Sequence, residues 1–152
     1  MGSDDFFLKA DSQYELGNFD AAFRLFLKAA EQGSSSAMSR IACMYGNGEG
    51  IGQDYGKSLE WDLKAVKFGE DSSMLNLAIT YRMVGDIKKA KHWFEKSLAS
   101  GNGEAALALA KLFMVSDKEE ENIKYYLSIA VKHTNLSDQS RNESHAFLAE
   151  LK

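Results

Sequence analysis

The stretch Gly46-Asn-Gly-Glu-Gly-Ile-Gly52 is the first place in this chain where residue types and spacing suggest chemistry, because clustered glycine amides can cradle an anion. Phosphate loops need G-x-G-x-x-G, or G-x-x-x-x-G-K-[ST] with a strand in front. Gly56-Lys57-Ser58 matches the end of the second motif, but Ile51 stands where each motif requires a glycine. Helix-like sequence also precedes the loop, which therefore reads as a turn with Ile51 tucked into a helix pair. The other reactive groups are scattered. His92, His133 and His145 have no second histidine or cysteine at metal-ligand spacing. Cys43 would be a nucleophile only beside a base that lowers its pKa, and it reads instead as a buried or groove-lining thiol. The acidic run Asp117–Glu121 reads as favourable charge at a helix N-terminus. No catalytic residue, metal site or cofactor is expected.

The elements that carry these residues repeat. FRLFLKAAEQG ends at Gly33, LEWDLKAVKFG at Gly69, KHWFEKSLASG at Gly101 and IKYYLSIAVKH at His133, offsets of 36, 32 and 32 residues. One column holds Leu25, Trp61, Trp93 and Tyr125; the column three places on holds Lys28, Lys64, Lys96 and Ser128. A period in this range marks an array of helical pairs. The first halves repeat as well, with Leu77-Ala78-x-x-Tyr81 followed by Ala90-x-x-x-Phe94, and a looser copy at Leu109-Ala110-x-x-Phe113 with Tyr126. Trp93 and Trp61 are expected to be largely buried as packing residues.

In the second copy a glycine-rich insertion completes Ile41-Ala42-x-x-Tyr45-x-x-Gly48-x-Gly50-Ile51-x-x-Asp54. This resembles the Sel-one-like repeat (SLR) family, a relative of the tetratricopeptide repeats (TPR). The family pattern has alanine where this chain has Ser58 and an aromatic where it has Asp62. The resemblance implies an all-α solenoid of antiparallel helix pairs that binds protein partners. The repeats fall at about 4–33, 34–69, 70–101 and 102–133, followed by a polar capping helix at 137–152, all in one domain over residues 1–152.

Composition agrees. The chain has 152 residues, 45% of them hydrophobic and 26% charged, no proline to break helices, and 12 glycines to punctuate them. A net charge of −4 disfavours a phosphate backbone as partner. One cysteine cannot form an internal disulfide. No apolar run is long enough to span a bilayer, and MGSDDFF is acidic where an export signal is basic, so a cytoplasmic location is expected. Turn and cap signals bound nine helices. Among the N-caps, one of Ser34, Ser35 and Ser36 is expected before the third helix, Asp71 or Ser72 before the fifth, Asp86 before the sixth, and an Asp117-x-x-Glu120 box before the eighth.

In such a stack the first helix of each pair lines the concave wall. The tetratricopeptide register places Leu75, Ile79, Arg82 and Met83 on that wall, together with Cys43 and Asn47 one repeat earlier and Leu107, Lys111 and Met114 one repeat later. Leu8, Ser12 and Glu15 are the corresponding candidates in the first repeat. The expected groove is apolar, adaptable through its methionines, and edged by positive charge. Two roles suit it: a scaffold or adaptor for protein or peptide partners, or a stoichiometric inhibitor such as an immunity protein that neutralises a basic toxin domain. Nucleic acid and membrane are not expected as partners.

Overall fold

The computed structural model describes residues 1–151. Among them are nine helices and no strand: α1 (Ser3–Glu15), α2 (Phe19–Glu31), α3 (Ser35–Asn47), α4 (Tyr55–Lys67), α5 (Ser73–Met83), α6 (Ile87–Ala99), α7 (Glu104–Ser116), α8 (Glu120–Lys132) and α9 (Asp138–Glu150). Within each of two units, successive helices joined by short turns pack against one another: α1 to α5 in the first and α6 to α9 in the second. Contacts cluster into two compact units, Met1–Val84 and the chain from Gly85 on.

The helix starts follow local capping chemistry. Ser34 Oγ accepts the Ala37 amide at 3.3 Å, Asp54 Oδ1 accepts that of Lys57 at 2.9 Å, and Asp86 Oδ1 accepts that of Lys89 at 3.1 Å. Two expected caps do not form. Ser72 precedes α5, but its hydroxyl donates to Glu70 Oε1 at 2.6 Å instead. Before α8 the N-cap is Glu119, with no side-chain cap, and Asp117 is drawn to Lys91 on α6. In both cases a stronger nearby partner takes the side chain that the motif assigned to a backbone amide.

The core of the first unit is built from Ala10, Ala22, Phe26, Ala37, Ile41, Met44 and Ala65, with aromatic rings packed around them. Phe7 meets Phe26 at 5.5 Å between ring centroids, and Phe23 meets Tyr45 edge-on at 5.6 Å. The glycine-rich insertion packs closely against α2 at Gly50. Gly50 has φ +69°, and a Cβ built on it would lie 2.6 Å from Phe19 Cβ, so only glycine has both the conformation and the room. Ile51 is half-buried, and Tyr14 donates to Glu49 Oε2 at 2.7 Å, which ties α1 to the loop. That hydrogen bond, with burial, pushes the Tyr14 phenol up to about 12.

In the second unit Ala106, Leu107, Phe113, Ile123 and Leu127 form the core, and α9 lays Phe147 and Leu148 against it.

The tryptophan column departs from expectation. Trp61 and Trp93 are half-buried rather than buried. Their lysines three residues on cover them, with Lys64 Nζ 4.5 Å from the Trp61 ring and Lys96 Nζ 4.9 Å from the Trp93 ring. The fully buried ring belongs to the next column, at Phe26 and Phe94. One residue is about 100° of helix rotation, enough to carry a side chain from the packed face to its flank.

A candidate docking cleft in the first unit

Three helical faces converge in the first unit. From α3 come Cys43, Gly46 and Asn47, spaced i, i+3 and i+4; from α4, Tyr55, Ser58 and Asp62; from α5, Asn76, Ile79, Thr80 and Met83. Each set shares one face of its helix by the 3.6-residue period. Together they line a cleft of about 130 Å³. Ser58, Asp62 and Thr80 are buried at its base, Cys43, Tyr55, Asn76 and Ile79 are half-buried, and Asn47 and Met83 are exposed.

The base is polar and incompletely satisfied. Asp62 is 1% exposed, and neither its Oδ1 nor Ser73 Oγ completes a hydrogen bond of ordinary geometry. Burial pushes the Asp62 carboxyl up to about 7, against the neighbouring Ser73 and Asn76, which pull it down. Asn76 Nδ2 donates to Cys43 Sγ at 3.7 Å. Burial, then the nearby Asp62 charge, pushes the Cys43 thiol up, so it is a poor nucleophile at neutral pH. Arg40, on the α1 side of α3, is engaged by Asp11 at 2.8 Å and lies over the Tyr14 ring.

Four of the residues placed on the wall by the register, Cys43, Asn47, Ile79 and Met83, meet in this cleft. Leu75 is half-buried and Arg82 exposed on α5, both outside its lining. In the first repeat Leu8 is 65% exposed, and Ser12 Oγ turns back to the Leu8 carbonyl at 2.9 Å.

The second unit requires a correction. Leu107, expected on an open wall, is 4% exposed and part of the core, because the alanine-rich α7 is buried on most of its circumference. Met114 packs against the same core, and Lys111 Nζ is held by Glu143 Oε1 of α9 at 2.7 Å.

Asp62 is the site residue that the groove register missed. Its signal was the departure from the repeat pattern, an acid in a column of rings.

Among the described residues no group of three histidine, cysteine or carboxylate side chains is placed to hold a metal ion, and no helix is long and apolar enough to cross a membrane.

Comparison with known proteins supplies the family. The model of the Sel1 repeat matches residues 13–34 and 35–67, and a tetratricopeptide repeat model matches residues 72–102. No curated protein sequence matches the chain. Among solved structures, a Sel1 repeat protein from Oxalobacter formigenes is 18% identical, with a TM-score of 0.75 over 95% of this chain and 60% of its own. A protective antigen of uropathogenic Escherichia coli displaying an SLR fold is 24% identical, with a TM-score of 0.70 over 93% of this chain and 33% of its own. The MamA protein is 14% identical, with a TM-score of 0.71 over 98% of this chain and 85% of its own. The chain thus spans 60% and 33% of the lengths of the first two. At these identities the likeness is one of fold. The matched repeats together take in more than half of the residues, and the chain belongs to the SLR/TPR-like family of helical-repeat proteins.

Proposed function

We propose that this chain is a non-catalytic interaction module that docks a protein or peptide partner, as a scaffold or adaptor, on the face formed by α3 and α5 of its first unit. The observation that supports this is the cleft itself. It joins an exposed methionine, Met83, and the half-buried Ile79 to polar groups from two other helices. Met83 is 56% exposed, a large apolar side chain left in water beside a concavity. Repeat proteins of this kind use the first helix of each pair for binding. The net charge of −4 favours a protein over a nucleic acid. The raised Cys43 thiol argues against nucleophilic catalysis at the same place.

The test is a titration with peptides selected from a displayed library for binding to the chain. Interface energy concentrates in a few central residues, so Ile79→Glu weakens binding by about 2 kcal/mol or more. Lys88→Glu, at an exposed position on α6 of the second unit, leaves it unchanged. Binding that survives Ile79→Glu and fails with Lys88→Glu moves the partner to the second unit and ends this reading.

A further inference from the structure

Position 62 is where the repeat has a ring. Phe26 and Phe94 in the same column are fully buried, and Tyr126 is half-buried with its ring stacked on Phe113. In the second repeat the column holds an aspartate, equally buried. A carboxymethyl group is much smaller than a phenyl ring, and unfilled volume beside it lies open as the cleft of about 130 Å³. A buried carboxylate without a counter-charge is among the costliest groups a small domain can carry. Here neither Asp62 Oδ1 nor the Ser73 hydroxyl completes a hydrogen bond of ordinary geometry, although Ser73 and Asn76 both act on the carboxyl and pull its pKa down.

We propose that this cleft receives the side chain of a lysine on the partner protein, its ammonium seated against the Asp62 carboxylate and its methylene stem lying between Ile79 and Met83. The chemistry is complementary at both ends. An ammonium brings three donors and one positive charge to a cleft lined by a carboxyl whose Oδ1 completes no hydrogen bond of ordinary geometry and by the hydroxyls of Ser58 and Thr80. The four-carbon stem of a lysine is apolar and suits a rim of Ile79, Met83 and the Tyr55 ring. A compact point charge fits a small pocket with a single carboxyl better than the flat, five-donor fork of an arginine. This inference deepens the docking reading above and rests on it for the source of the lysine.

Binding of this kind is coupled to the ionisation of Asp62. The titratable groups facing it are the Cys43 thiol on α3 and the Tyr55 phenol on α4, while α5 contributes only the neutral Asn76, Ile79, Thr80 and Met83. The carboxyl, pushed up to about 7 by burial, therefore governs the pH dependence, and affinity for the ammonium falls as pH drops below that value.

The probe is n-butylammonium, a free lysine terminus, titrated into the ¹⁵N-labelled chain at pH 8 with n-butanol as the uncharged control. The expected result is saturable shifts of the Asp62, Asn76 and Thr80 amides with the amine alone, weakened at least about tenfold, or ~1.4 kcal/mol, in Asp62→Asn. In the parent chain the carboxyl ¹³C titration of Asp62 also moves to lower pH when the amine is present. This second measurement needs no variant and decides the matter if Asp62→Asn fails to fold. Absence of saturable shifts, equal shifts with butanol, or an Asp62 midpoint unmoved by amine overturns the proposal. Because the probe needs no partner, amine failure alongside intact, Ile79-dependent peptide docking removes the lysine assignment alone.

Discussion

The side-chain amide of Asn76 donates to the Cys43 sulfur at 3.7 Å, so α5 and α3 are linked across the cleft that the buried Asp62 also lines. Asn76 and Ser73 also act on the Asp62 carboxyl and pull its pKa down, yet Asp62 Oδ1 completes no hydrogen bond of ordinary geometry. The arrangement holds open a polar base under an apolar rim, and its consequences can be measured.

Stability should depend on pH through Asp62. Its folded pKa of about 7 lies above the ordinary 3.8, so the native state holds the proton more tightly than the unfolded chain. The resulting stabilisation is fully present below about pH 4 and is lost as pH rises through about 7. The difference across that window is on the order of 4 kcal/mol, reduced by any water that reaches the carboxyl. Asp62→Asn should flatten this slope, gaining relative to the parent as pH rises. Urea melts at a series of pH values between 4 and 8 provide the check, and parallel curves for the two proteins would contradict it.

The ring columns predict an inversion of the usual expectation for tryptophan. Phe94 is fully buried, so Phe94→Ala should cost about 3–5 kcal/mol. Trp93→Ala, at a half-buried position flanked by Lys96, should cost at least about 1 kcal/mol less. Denaturant midpoints of the two variants decide it, and a larger loss for Trp93 would show that the packed column had been misplaced.

Two glycines separate conformation from space. Gly17 has φ +76° with nothing within 4 Å of a built Cβ, so Gly17→Ala should cost only the left-handed penalty of about 1–2 kcal/mol. Gly50 has φ +69° and would also drive its Cβ onto Phe19, at 2.6 Å from Cβ and 2.7 Å from the carbonyl carbon. Gly50→Ala should therefore cost at least about 1 kcal/mol more than Gly17→Ala, through displacement of the insertion loop. Equal thermal shifts for the two variants would mean that the loop yields freely.

The helices, their turns and the repeat were legible in the chain itself, because each depends on residues within one or two turns of one another. The 36- and 32-residue offsets, the caps at Ser34 and Asp86, and the glycines at repeat ends are local or periodic signals. Periodicity also identified which residues of α3 and α5 share a face, and so brought out Cys43, Asn47, Ile79 and Met83. It could not say what covers a face. Leu107 and Lys111 lie on an analogous stripe of α7, yet one enters the core and the other is taken by Glu143 of α9. Trp93 was misjudged for a related reason: size and recurrence point to packing, but a rotation of one residue decides between the core and its flank. Asp62 stood out in the sequence as an acid in a column of rings. That it is buried, that its Oδ1 completes no hydrogen bond of ordinary geometry and that a cleft opens beside it depend on residues from 43 to 83 meeting in space, which only the tertiary structure decides.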